Sequence, residues 1–104
     1  MAEREIHEAA RWYDERQPRL GDEFLEAVEQ AVALALESPQ HYPRIHGHMR
    51  RVLVHRFPYA VFFRETADEL VVLGCIHGRR DSRRWESLMV RENARGFGNV
   101  EAAA

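Results

Sequence analysis

The sequence predicts an α+β fold: an N-terminal antiparallel helical hairpin packed on a three-stranded antiparallel β-meander, with a short C-terminal helix. Two observations predict it. Apolar residues recur at helical spacing as far as Glu37, whereas from Arg50 to His77 they alternate or form short runs rich in Val, Phe and Tyr. A chain of 104 residues suffices for one modest core. We therefore expect residues 1–93 to form a single domain and residues 94–104 to be a disordered tail.

The helical hairpin is indicated by two apolar stripes with helix-breaking residues between them. A first helix is predicted over residues 3–16 and a second over residues 22–37, with Asp22 as its N-terminal cap and Pro39 beyond its end. The first stripe comprises Ile6, Ala9, Ala10 and Tyr13, and the second Phe24, Leu25, Val28, Ala31, Val32, Ala35 and Leu36. The short "PRLG" connection makes the two helices antiparallel neighbours.

Three strands are predicted over residues 50–57, 59–65 and 70–77, because Pro58 cannot donate to a ladder and "TADE" reads as a turn. The third strand is apolar on both sides, which places it at the centre of the sheet or under a cover. A further helix is expected over residues 82–93. Side chains alternate along a strand, so the first strand should present Arg51, Leu53 and His55 on one face and Arg50, Val52, Val54 and Arg56 on the other.

The charge is distributed unevenly along the chain. Residues 1–40 hold 10 acidic residues and 4 arginines, whereas residues 41–64 hold 5 arginines and no acidic residue. The chain has no lysine, so each fixed positive charge is a guanidinium, which pairs well with carboxylates and phosphates. A bias of composition explains the missing lysines equally well.

The remaining bulk features point to the cytosol. The longest apolar run, residues 31–36, is far shorter than the roughly 20 residues that cross a bilayer. The N-terminus lacks the apolar region of a secretory signal. The single cysteine, Cys75, excludes an internal disulfide.

The stretch "HGRRDSRRW" behind the third predicted strand is the densest group of arginines. These guanidiniums could bind phosphates or the carboxylates of an acidic partner, or form a solvated turn paired with Asp81. Acid–base cleavage of RNA would need two proton-transfer groups and an arginine on the phosphate. His77 with Arg79 or Arg56 could supply part of that set, but no second proton-transfer group stands out.

Other candidate sites carry weaker patterns. The histidines at positions 41, 46 and 48 lack the partners of a zinc site, so we expect no metal, and no glycine-rich loop indicates a cofactor. Trp12, Tyr13 and Trp85 are either core residues or apolar anchors for a partner.

Three stretches together resemble the RelE/ParE superfamily of type II toxin–antitoxin toxins, in its ParE-like branch. They are "EIHEAARWYDERQPRLGDEFLEAVEQAV", "SPQHYPRIHGHMRRVLVHRFPYAVFFR" and "VVLGCIHGRRDSRRW", and they span about residues 3–86. The resemblance implies a short N-terminal strand before the helical hairpin. Here Met1 leads directly into the first helix, so that strand is expected to be missing and to leave an unpaired sheet edge through which a homodimer could form.

The resemblance also implies a function. Such toxins are neutralised by an acidic antitoxin; ParE-like members block DNA gyrase, and RelE-like members cut mRNA on the ribosome. The cutting members rely on a His or Tyr near the C-terminus, and here no tyrosine follows the third predicted strand. We therefore favour the non-enzymatic gyrase inhibitor over the endoribonuclease or an inactive remnant. The partner-binding residues expected are Arg51, Arg56, His77, Arg79, Arg80, Arg84, Trp12, Tyr13 and Trp85.

Overall fold

The structure is a computed structural model that describes residues 2–78. Two helices precede an antiparallel sheet, which confirms the predicted α+β class. The sheet order is β1-β2-β3-β4, a meander in which each strand pairs with the next. The elements are α1 (Ala2–Arg16), α2 (Leu20–Glu37), a 3₁₀ turn (Pro39–His41), β1 (Arg44–His46), β2 (Met49–Leu53), β3 (Tyr59–Glu65) and β4 (Leu70–His77).

The two faces of the sheet belong to two different apolar clusters. The helix-facing side joins the buried stripes of both helices to residues of β2, β3 and β4 and to Val54. The far side holds a separate buried cluster. The sheet residues of the helix-facing side are Val52, Val54, Val61, Phe63 and Cys75, and those of the far side are Met49, Ala60, Phe62, Leu73 and Ile76. This division confirms the predicted alternation, in which Val52 faces inward while Arg51 and Leu53 face the other way.

The sheet has a fourth strand, β1, that the sequence did not predict. β1 is only three residues long and pairs with β2 through Arg44↔Arg50 and His46↔Met49. Gly47 closes the turn between these strands with a φ of 55°. So short a strand, bounded by a proline and a glycine, shows no alternation that could be recognised.

The predicted boundary of the first long strand was wrong. We expected it to run to Phe57, whereas β2 ends at Leu53. A hairpin needs more than the single residue Pro58 to reverse direction. The turn closes instead through Val54 N–H to Tyr59 O at 2.9 Å, and Arg56 within it adopts a left-handed φ of 63°.

The start of α2 also differs from the prediction. The helix begins at Leu20 rather than at Asp22, and the residue before it, Arg19, is left-handed with a φ of 73°. Gly21 lies inside the first turn, where a Cβ would overlap the carbonyl oxygen of Ala10 and the carboxylate of Asp14. The Gly21 N–H donates to Asp14 Oδ1 at 2.8 Å, so Asp14 of α1 satisfies a helix-terminal donor of α2. The glycine permits close packing of the helices rather than ending one.

The buried stripes differ from the predicted ones at two positions. Glu5 is buried alongside Ala9, Ala10 and Tyr13, and Leu36 at the end of α2 is 56% exposed. The Glu5 carboxylate accepts the Cys75 N–H of β4 at 3.3 Å. Among the strands that the structure describes, β4 lies at an edge of the sheet and not at its centre. α1 packs over β4, which matches the alternative prediction that this strand is covered.

The predicted helix over residues 82–93 and the predicted tail over residues 94–104 lie outside the described residues. Between residues 2 and 78, neither helix is apolar enough over a sufficient length to span a bilayer.

Candidate functional site

A groove of about 530 Å³ opens at the end of the sheet where β2 turns into β3. We call it the hairpin groove. It is formed by the turn itself, the adjoining ends of β2 and β3, and the end of β4. Its lining residues are Arg51, Leu53, Val54, His55, Arg56, Phe57, Pro58, Tyr59, Ala60, Phe62, Ile76, His77 and Gly78.

The floor of the hairpin groove is apolar and belongs to the far side of the sheet. Ala60, Phe62 and Ile76 contribute to it and are buried. Leu53 lies at its rim and is 68% exposed. Since exposure of a large aliphatic side chain beside an apolar floor is unfavourable in water, this arrangement is suited to a partner that covers it.

Two of the arginines predicted to bind a partner line the groove, but their side chains make different contacts. Arg51 projects from β2 on the same face as Leu53 and is exposed. Arg56 donates to Glu23 of α2 at 3.1 Å, and its guanidinium carbon lies 5.5 Å from the Phe57 ring centre. The described lining residues include no aspartate or glutamate. The groove therefore presents an apolar floor with positive charge at its rim.

His77 reaches the groove from the end of β4. It is 8% exposed, and its ring meets that of Tyr59, its cross-strand neighbour, edge-on at 5.2 Å. His55, in the turn, is exposed and lines the same groove. The Tyr59 ring in turn packs 5.0 Å from Phe24 in the helix-facing cluster, so Tyr59 and His77 lie towards the helices, and of the two histidines only His55 is exposed at the groove.

The aromatic residues of α1 divide between core and surface. Tyr13 is 8% exposed and lies within an aromatic cluster, with its ring centre 5.3 Å from Phe24 and 5.0 Å from Phe57. Trp12 is half-buried, and the Arg16 guanidinium lies 3.5 Å above its ring. Of the two predicted roles, core residue or apolar anchor for a partner, Tyr13 has the first.

Two buried arginines were not among the predicted site residues. Arg50, on the helix-facing side, contacts Glu65 Oε1 at 3.0 Å and donates to the Tyr42 carbonyl at 2.6 Å. Arg64, opposite Met49 and Val71, is 3% exposed, and its Nε has no hydrogen-bond partner in the structure. The only sign of their burial in the sequence was that both arginines alternate with apolar residues along a strand.

Cys75 has no chemical role in this groove. It is buried in β4, and burial raises the pKa of its thiol to about 12. A thiol that stays protonated at neutral pH is a poor nucleophile and a poor metal ligand. In the range that the structure describes, no three His, Cys, Asp or Glu side chains are grouped as metal ligands.

The remaining predicted partner-binding residues, Arg79, Arg80, Arg84 and Trp85, lie outside the described residues. The structure therefore brings Arg51, Arg56 and His77 to one groove and places Trp12 and Tyr13 on α1.

Comparison with known proteins identifies the family. The sequence model of the ParE toxin of the type II toxin–antitoxin system parDE matches residues 1–82. This match covers most of the chain, and the helical hairpin on an antiparallel meander agrees with the fold that the resemblance implies, apart from its N-terminal strand, which residues 2–78 do not contain. The chain belongs to the ParE toxin family and is a toxin of the type II toxin–antitoxin class. No curated protein and no solved structure matches it.

Proposed function

We propose that this chain is a cytosolic toxin that a cognate acidic antitoxin neutralises and that, when released, inhibits DNA gyrase without chemistry of its own. The hairpin groove is the observation that carries the proposal. It combines an apolar floor, an exposed leucine and a positive rim, which is the composition of a protein-binding surface.

The electrostatics of the described residues favour a protein partner over nucleic acid. Arg56 already pairs with Glu23, and the helices that form the other side of the molecule carry 10 acidic residues in positions 1–40. Nucleic-acid binding draws much of its affinity from arginines and lysines that neutralise phosphates, and a net charge of −2 gives little general attraction.

A supercoiling assay tests the gyrase proposal. The purified chain is added to gyrase, ATP and relaxed plasmid, with and without a purified candidate antitoxin, a small acidic protein. We expect loss of supercoiling with the toxin alone and recovery when the acidic protein is added. Unaffected supercoiling at micromolar toxin would contradict gyrase as the target.

A second candidate function is supported by one observation: His55, Tyr59 and His77 line one groove together with Arg51. Cleavage of mRNA needs a base, an acid and a cation on the phosphate. His55 and Arg51 are exposed, whereas the rings of Tyr59 and His77 pack towards the helices and would have to turn outward to take part. Translating ribosomes with a reporter mRNA test it. Cleavage that disappears with His77→Ala would favour the endoribonuclease over the gyrase inhibitor.

An inactive remnant of the family makes a different prediction. Expression without the antitoxin would leave growth untouched, whereas an active toxin of either kind stops it.

A further inference from the structure

We infer that the hairpin groove binds an apolar side chain of the antitoxin, with Leu53 as its main contact and Arg51 paired to a carboxylate beside it. This inference rests on the proposed function, because it names the place and the chemistry of antitoxin binding. It assigns recognition to the far side of the sheet and not to the outer surface of the helical hairpin.

Leu53 is distinguished by its surroundings. Three large hydrophobic side chains are exposed among residues 2–78: Leu53 at 68%, Leu36 at 56% and Leu34 at 54%. Leu53 alone of these lines the hairpin groove, where it lies opposite the buried Ala60 of β3, which in turn pairs with Ile76 of β4. A partner side chain seated there would cover the leucine and the floor together.

A second cavity offers a contrast in charge. It measures about 240 Å³ and is lined by Leu36 at the end of α2 and by the turn between β3 and β4. Glu65, Asp68 and Glu69 also line it, whereas no acidic residue occurs among the described residues of the hairpin groove. An acidic partner would be repelled from this second cavity and attracted to the groove.

The spacing of Leu53 and Arg51 defines what the partner must present. Both project from the same face of β2 two residues apart, and two residues of strand span about 7 Å. Their partners would be an apolar side chain and an Asp or Glu, either two positions apart in an extended segment or three to four apart in a helix. Since Arg51 is solvent-exposed, its guanidinium is accessible to such a carboxylate.

The inference is tested by calorimetric titration of the full chain with the purified acidic candidate antitoxin of the supercoiling assay. We compare Leu53→Ser and Arg51→Ser with matched controls on the helical hairpin, Leu34→Ser and Arg11→Ser. Circular dichroism and thermal melting establish that each variant is folded. A central apolar contact predicts about 30-fold weaker binding for Leu53→Ser and about 10-fold for Arg51→Ser, with both controls within about 2-fold of the wild type. Leu53→Met should restore most of the affinity.

Four outcomes overturn a claim. Failure of the wild-type chain to bind the acidic protein contradicts the proposed function itself. Binding of Leu53→Ser with unchanged affinity contradicts only the inference about the groove. Loss of gyrase inhibition by Leu53→Ser with unchanged antitoxin affinity would assign the groove to the target. A lower molar mass of free Leu53→Ser in light scattering, again with unchanged affinity, would assign it to a second copy of the chain.

Discussion

Each side of the sheet carries an apolar cluster and a buried arginine, but the two sides differ in exposure and in hydrogen bonding. On the helix-facing side, Tyr13 packs within an aromatic cluster, and the buried Arg50 contacts Glu65 and the Tyr42 carbonyl. On the far side, the floor opens into the hairpin groove, Leu53 is exposed, and the Nε of the buried Arg64 has no hydrogen-bond partner among residues 2–78. The helix-facing side is covered by the helices and its buried arginine is paired, whereas the far side has a buried cluster that adjoins an open groove.

The largest expected difference separates the two buried arginines. Arg50→Met would remove the donor that Arg50 supplies to Glu65 and to the Tyr42 carbonyl, and since both contacts are partly buried we expect a loss of about 2–3 kcal/mol of unfolding free energy. Arg64→Met removes a buried charged group with an unsatisfied nitrogen, so we expect a loss below about 1 kcal/mol or a gain. Urea unfolding of both variants measures the difference. Equal losses would show that Arg64 is as well paired as Arg50.

Neighbouring residues of β2 provide the next comparison. Val52 is buried on the helix-facing side and Leu53 is exposed on the other. Val52→Ala should lower the unfolding free energy by about 2 kcal/mol, because it leaves a cavity in the core. Leu53→Ala should change it by less than about 0.5 kcal/mol, as is usual for surface positions. Both variants are measured by the same urea unfolding. A larger loss for Leu53→Ala than for Val52→Ala would contradict the assignment of Val52 to the core and of Leu53 to the surface.

Gly21 tests the close contact between the helices of the helix-facing side. Alanine is normally the better helix former, by about 1 kcal/mol. Here its Cβ would overlap the backbone of Ala10, so we expect Gly21→Ala to destabilise the protein by about 1–2 kcal/mol. The exposed Ala33→Ser on the same helix is the control and should be nearly neutral. A higher melting temperature for Gly21→Ala would contradict the packing at this contact.

The sequence predicted the repeating parts of this fold and not its irregular parts. The bounds of β3 and β4 matched, because long strands alternate or run apolar over seven or eight residues. β1 was missed because three residues carry no period, and the start of α2 was misplaced because Gly21 was interpreted as a breaker rather than as a contact.

The candidate site was only partly predictable for the same reason. Alternation placed Arg51 and Leu53 on one face of β2, as observed. The left-handed Arg56 and its bond to Glu23 depend on a turn and on a contact 33 residues apart, which no local pattern encodes. The burial of Glu5 against the Cys75 N–H is likewise a tertiary contact.

The smallest expected effect concerns the buried thiol of Cys75. Its pKa is raised from 9.0 to about 12 in the folded protein, so only the unfolded chain ionises between these values. The contribution of the buried, neutral thiol to the unfolding free energy is therefore fully present below pH 9, and it is lost as the pH rises towards 12. We expect the wild type to lose about 1.4 kcal/mol more than Cys75→Ala between pH 8 and pH 10 in urea unfolding. Equal losses in the two proteins would show that the Cys75 thiol is not shielded from water in the folded protein.

The most direct test of the division between the two sides is NMR mapping of the antitoxin on the ¹⁵N-labelled chain. We predict that the largest amide shift changes on adding the acidic protein fall on Arg51, Leu53 and His55, with smaller changes on the outer surfaces of α1 and α2. Changes concentrated on the helical hairpin, with the groove amides unmoved, would contradict it.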